Sequence, residues 1–303
     1  MEKTMERKKY KVKRKISAYE IVIGCVLALY SFILIFLFGW AFLSSLRNHG
    51  AFRSDALAFP EGLKWKNYTD VFKTLKLSYI EGRSKVWVKL DTMFLNSLIY
   101  AGVGGLIQTF FTAAVAYCCA RYKGFTSSLL RNVVIVTLII PVVGTMPSLL
   151  DILHNMKLHD TWMGIFVQRV SFCTTYFLIF YAAFGAISWE YAESAFIDGA
   201  SHSRVFFQIM LPLVKTLLIT VFILLFVQYW NDYQNPWMLI PSMPTAARGL
   251  YHYLNDPISM GMNDENVPRQ IAAGVIIFVP IFTIFVIFRD KIMGNLTEGG
   301  IKG

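Results

Sequence analysis

The chain is predicted to be all-α and polytopic, with six transmembrane helices and both termini in the cytoplasm. Three observations predict this. The 303 residues are 55% hydrophobic and only 16% charged, whereas soluble domains average about 45–50% apolar and about 25% charged. Uncharged runs of roughly 20 residues recur, the length an α-helix needs to cross a bilayer. Lysine and arginine crowd into the segment before the first run, where positive-inside topology puts them. That crowding also accounts for the net charge of +10 without a nucleic-acid partner. The partner it implies is a lipid bilayer.

Residues 1–17 form a basic tail carrying Lys3, Arg7, Lys8, Lys9, Lys11, Lys13, Arg14 and Lys15. The run Ile21 to Leu46 that follows has no charge. It is about twice as long as the apolar core of a signal peptide and lacks a clear small-residue cleavage site. It therefore reads as an uncleaved first span, the start of a six-span transmembrane domain covering 18–303. An outer segment, 47–91, comes next. Its nine Lys/Arg against five acids strain the positive-inside rule, but the denser N-terminal cluster should still set the orientation. A short helix is expected around Trp65 to Leu75.

The second span, Thr92 to Ala120, holds Gly102, Gly104, Gly105, Ala113, Ala114 and Ala116, small residues that let membrane helices approach closely. Arg121, Lys123 and Arg131 mark a short inner loop. The third span, Asn132 to Leu150, carries Pro141 and Pro147 beside Gly144. Proline frees a backbone carbonyl and kinks a helix, and this kink reads either as a hinge or as a packing bend. The fourth span is placed from Trp162 to Ser188, the fifth from Val205 to Trp230 and the sixth from Gln270 to Phe288. A second outer segment, 231–269, separates the last two. Arg289 and Lys291 are expected to stop the sixth span, leaving a cytoplasmic tail, 289–303. Cys25, Cys118, Cys119 and Cys173 all lie in apolar runs without metal-ligand spacing and read as small hydrophobes.

No Asp or Glu lies within any of these spans, although ion-coupled carriers need ionisable groups at membrane depth. No GxxxxGK[ST] phosphate loop is present, nor any HExxH or GxSxG site. The chain reads as a non-enzyme that binds no cofactor and takes its energy from elsewhere. Arg169 and Lys215 are the ionisable exceptions. Lys215 can snorkel at the inner end of its span. Arg169 either faces a transport pathway and attracts an anionic solute, or snorkels at the outer interface. Tyr229, Trp230 and Asn231, at the start of the aromatic stretch to Trp237, are the other candidate pathway residues. That stretch reads equally as an interfacial belt or as a docking surface for an external partner.

The polar island between the fourth and fifth spans, 189–212, is the expected coupling surface. Glu190 to Asp198 reads as a short helix with Ala192, Ala195 and Phe196 available to dock. Gly199 permits a sharp turn, Ser201 and Ser203 can cap the next turn, and Leu211-Pro212 sets the angle of the fifth span.

Glu193-Ser194-Ala195, Gly199, Ile209, Leu211 and Pro212 keep the spacing of the EAA motif of ABC-importer permeases, with Ser194 in place of alanine. Asp198-Gly199-Ala200 and the Leu-Pro-Leu at 211–213 resemble the carbohydrate-uptake members. Leu63 to Phe72, Asn96-Ser97, Ala116 to Arg121, Trp230-Asn231-Asp232 and the ending Leu296 to Gly303 resemble further segments of that family, typified by the smaller permease of maltose-type transporters. The resemblance implies a type I importer architecture and a heterodimer with a homologous second permease. It also implies two ATPase subunits carrying ATP and Mg, and an external solute-binding protein. Glu193 would then meet a basic residue of the ATPase, and Asp198 would fix the loop from within. The implied cargo is a carbohydrate. A glycerophosphate-type solute, or a stand-alone carrier sharing six spans by chance, are the alternatives.

Overall fold

Residues 17–140, 144–256 and 266–298 are described by a computed structural model, with side chains described as far as Arg289. The basic tail through residue 16, residues 141–143 with Pro141, residues 257–265 and residues 299–303 lie outside them.

Helix α1 (Ala18–Ser45) starts where the Glu20 carboxylate accepts from the Ser17 N–H at 3.1 Å. Its apolar side chains face outward over most of its length, as lipid contact requires. Near its far end Phe38 meets Phe278 at 4.8 Å between ring centroids. The outer segment holds α2 (His49–Ser54) and α3 (Lys66–Thr74), so helix forms where it is expected. It also holds an antiparallel hairpin, β1 (Lys76–Glu81) and β2 (Ser84–Lys89). The alternation Leu77, Tyr79 against Val86, Val88 has the strand period of two, so the all-α expectation needs this correction.

Helix α4 (Leu90–Arg121) runs unbroken through a π-turn at Ile99–Val103. Then come α5 (Phe125–Ile139) and α6 (Thr145–Asn155). They are separate helices, and Gly144, at φ +79°, stands at the start of α6. The fourth run, expected as one span from Trp162, is two helices, α7 (Trp162–Arg169) and α8 (Thr175–Ala186). The Ser171 carbonyl freed by the break accepts from the Thr112 hydroxyl at 3.2 Å, as backbone at membrane depth must be satisfied from within the protein.

Helix α9 (Glu190–Ile197) leads to α10 (His202–Leu213) and α11 (Lys215–Trp230). The last two meet at 77°. Pro212 cannot donate and clashes with the preceding turn. A π-turn at Phe206–Met210 precedes it and Val214 leaves helical geometry after it. The expected continuous span from Val205 is thus a bent pair, with exposed Lys215 at the bend. Helices α12 (Gln234–Leu239) and α13 (Ala246–Asn255) fold into the second outer segment. Helix α14 (Val267–Glu298) continues past Arg289 and Lys291, which therefore do not stop it.

Among the described residues, three helices suffice to cross a bilayer by length and composition: α1, α4 and Val267–Arg289 of α14. The α10–α11 pair adds a fourth, and α5 and α8 are shorter apolar helices. The main core gathers α4, α8 and α11 around Tyr117, Phe177, Phe180, Phe184, Phe226 and Trp230. A second core, with Val71, Leu77, Val88, Met93 and Tyr253, joins α3, the hairpin and α13 to α4 and α14.

Short motifs fasten the outer segments to this frame. Asn67 donates to the carbonyls of Ser45 and Arg47 at 2.7 and 2.9 Å, and Tyr68 shares a 2.6 Å hydrogen bond with Ser45. Asn96 donates to the Pro244 carbonyl at 3.0 Å, and Ser97 accepts from the Ala246 N–H at 2.8 Å.

Candidate functional site

The island folds as helix, glycine, helix. Gly199 has φ +82°, a left-handed conformation that costs an L-residue about 1–2 kcal/mol. Its N–H reaches the Phe196 carbonyl at 3.0 Å, and the Ala200 N–H reaches Ala195 at 2.9 Å. This paired ending of α9 is a Schellman motif. A Cβ on Gly199 would meet no atom within 4 Å, so backbone angle rather than crowding requires glycine there. Ser201 caps α10 by accepting from the Arg204 N–H at 3.3 Å.

The loop is bolted to the end of α4. Arg121 donates to the Ile187 carbonyl and lies 5.4 Å over the Trp189 ring. Tyr122 shares a 2.9 Å hydrogen bond with His202, whose ring packs 4.8 Å from Phe196. Ala192 is fully buried, and Ala195 and Phe196 pack inward against the core. They hold the loop in place, and the expectation that they form the docking face is corrected. The outward face is Tyr191, Glu193, Ser194, Ile197 and Asp198. Ile197 is 86% exposed, an apolar side chain at the tip that none of the described residues covers. Asp198 points outward as well, and the turn is built by backbone bonds rather than by its carboxylate. Ile209 is half-buried and Pro212 exposed, while Leu211 packs on the core.

A second constellation forms around Arg169, which is only 9% exposed. A snorkelling head at the interface is excluded by that burial. Its guanidinium lies 3.7 Å from the Tyr229 ring centroid and 5.1 Å from that of Tyr100, a cation–π sandwich. It donates to the Tyr100 hydroxyl and stands 3.9 Å from the Asp232 carboxylate. Tyr100 in turn donates to Asp232 at 2.7 Å, and Asn235 donates to both Asp232 oxygens at 3.1 and 2.7 Å. Tyr229 donates to Gln108. Gly104 leaves the space: a Cβ there would sit 3.5 Å from Arg169 Cγ.

Of the four candidate pathway residues, the fold brings Arg169 and Tyr229 together. Trp230 is fully buried, stacks on Phe226 and donates to the Ile277 carbonyl at 3.1 Å. Asn231 is exposed, its amide bonded to Val227 at 2.8 Å. Sequence reasoning missed Tyr100, Gln108 and Asp232 as members of this cluster. A signal existed for Asp232, which sits in the quoted Trp-Asn-Asp element. Tyr100 and Gln108 gave none, because nothing in a run of apolar residues tells which face meets an arginine 60-odd positions on.

Comparison with known proteins gives a consistent picture. Residues 105–294 match the family model described as "Binding-protein-dependent transport system inner membrane component". The diacetylchitobiose uptake system permease NgcG of Streptomyces coelicolor is 26% identical over 91% of this chain and 87% of that one. The trehalose transport system permease SugB of Mycobacterium tuberculosis is 26% identical over 87% of this chain and 91% of that one. Among solved structures, a chain of a bacterial ABC transporter involved in import of the acidic polysaccharide alginate superposes with a TM-score of 0.73. It is 16% identical and covers 90% of this chain and 95% of that one.

Proposed function

The chain belongs to the family of binding-protein-dependent transport system inner membrane components, and from that premise we propose that it is the permease subunit of an ATP-driven sugar importer. The cargo is an oligosaccharide or glycan fragment, in line with the two uptake permeases it resembles. The chain crosses the cytoplasmic membrane six times, through α1, α4, α5 with α6, α7 with α8, α10 with α11, and α14. Both termini, with the tails 1–17 and 289–303, face the cytoplasm. It pairs with a homologous second permease. Two ATPase subunits, which carry ATP and Mg, bind loop 189–212, and an external solute-binding protein meets segments 47–91 and 231–269.

The observation that carries this reading is the coupling loop. A rigid pair of short helices, locked by Gly199 and fastened through Arg121 and Tyr122, presents Ile197 outward at 86% exposure. Exposed Tyr191 joins Ile197 on this outward face, and in the coupling reading a partner covers them. Closure of the ATPases would push this mount, and the bend at Val214 would redirect the push along α11. Arg169 and Tyr229 then brace the α4–α7–α11 contact, and exposed Asn231 is left as the group free to meet passing solute.

The test replaces Gly199 with valine, a β-branched residue in a left-handed position. Membrane insertion should persist while ATP-driven uptake falls by at least tenfold. Ile197→Glu should leave insertion and fold unchanged and uncouple ATPase activity from uptake. Normal uptake in both variants refutes the coupling role.

A further inference from the structure

A cavity of about 290 Å³ opens between the hairpin and α13, lined by Lys76, Ser78, Trp87, Trp237, Arg248, His252 and Asp256, with Leu77 at its base. The strand pairing explains its make-up. Lys76, Ser78 and Ile80 pair with Lys89, Trp87 and Lys85. One hairpin face is therefore cationic around a tryptophan, while Leu77 and Val88 on the other face enter the second core.

The charge on this wall is not balanced from within. Lys76 and Lys85 stand 4.7 and 4.6 Å from the Trp87 ring centroid, with no carboxylate in ion-pair reach among the described residues. Arg248 is only 5% exposed. One of its nitrogens donates to the Pro241 carbonyl at 2.9 Å, and its buried Nε has no partner among the described residues. Asp160 offsets part of this charge through its field, but it forms no direct ion pair with Arg248 among the described residues and accepts instead from the N–H and hydroxyl of Ser242 at 3.0 and 2.8 Å. A buried charge without a close counter-ion is costly. Asp256, which has a partner of its own, leaves the lining cationic in sum. Trp237, packed 4.9 Å from His252 and 5.8 Å from Tyr251, supplies a second aromatic surface.

We propose that this cavity binds an anionic hydroxylated group. One carboxylate or phosphate meets Lys76 and Arg248, and the attached sugar ring or polyol lies between Trp87 and Trp237. The cavity is the size of one such unit and near the small end of ligand pockets. Two sources carry that chemistry, a uronate-type saccharide and the headgroup of an anionic lipid, and the experiment separates them. The proposal uses the sugar-uptake reading only for the side of the membrane the cavity faces.

The experiment is saturation-transfer NMR on the assembled transporter, without binding protein, in nanodiscs of phosphatidylcholine or of phosphatidylglycerol. Glucuronate, glycerol 3-phosphate and glucose are the probes. In phosphatidylcholine, glucuronate and glycerol 3-phosphate should give saturation transfer at least fivefold above glucose. Trp87→Leu with Lys76→Gln should remove that excess. A signal that persists in phosphatidylglycerol assigns the site to the saccharide, and one that is lost there assigns it to the headgroup. Equal signals from glucose and glucuronate, or an excess that survives the double variant, overturn the proposal. If uptake is intact while that excess is missing, only this inference falls. If uptake of every sugar is absent while the excess is present, the transport reading falls instead.

Discussion

Removing the negative partner from the Arg169 cluster gives a graded prediction. Asp232→Asn keeps shape and keeps the hydrogen bond from Tyr100, but leaves the Arg169 guanidinium without its carboxylate. The charges are 3.9 Å apart, with side chains 11% and 14% exposed. At an effective dielectric constant of about 20, they attract by about 4 kcal/mol. Loss of one member of a buried pair typically costs about 3–5 kcal/mol. The retained Tyr100 bond and the cation–π contacts place this substitution at the low end, about 3 kcal/mol. Arg169→Gln should cost less, about 2 kcal/mol, because Asp232 keeps donors from Tyr100 and Asn235. The double variant should cost well under the sum of the two, since coupling between such neighbours reaches about 2 kcal/mol. The assay is thermal unfolding of the purified transporter, followed by size-exclusion of the surviving complex, for the wild type and all three variants. Additive losses in the double variant, or a greater loss from Arg169→Gln than from Asp232→Asn, would refute the clamp. Uptake of a neutral sugar by stably folded Arg169→Gln should be largely retained. Selective loss of an anionic cargo would instead assign Arg169 to the pathway.

Asn67→Ala removes two hydrogen bonds of 2.7 and 2.9 Å to buried carbonyls and should cost about 2 kcal/mol. Limited proteolysis should then cut segment 47–91 faster while α4 to α14 stay protected, and unchanged cleavage would show that the outer segment is held by packing alone. His252 has its pKa lowered by burial first and by the neighbouring Arg248 second, with Asp256 opposing. A base depressed in the folded state contributes stability that is complete above its unfolded pKa of about 6.5 and is lost as pH falls from there toward the folded value. The melting temperature should therefore drop between about pH 6.5 and pH 5, and His252→Gln should flatten that drop. A variant with the same pH slope as the wild type would rule His252 out as its source. Arg248 is also held down, to about 10, by burial, with Asp160 opposing, so it stays charged throughout that window.

Much of the loop 189–212 was legible in the chain itself. Gly199 marks a left-handed turn because no other residue adopts that angle without strain. Ser201 marks a cap because its hydroxyl is placed to accept from the next turn. Pro212 marks the bend because it removes a donor. All three effects act within a few residues. The direction in which Ala192, Ala195 and Phe196 point was not legible, because that is set by the end of α4, through Arg121 and Tyr122, far away along the chain.

The sequence alone determined the class of molecule, the positions of the apolar runs and the spacing of the loop, since hydrophobic length and local backbone chemistry decide these. Only the tertiary structure decided that the fourth and fifth runs are broken, since a break survives in an apolar medium only where a partner such as Thr112 satisfies the freed backbone. It alone decided that Arg169 is enclosed by Tyr100, Tyr229 and Asp232 rather than reaching for the interface. Its partners come from two other stretches of chain, Tyr100 on α4 and Tyr229 with Asp232 at the end of α11, and their convergence is a property of packing that no local pattern encodes.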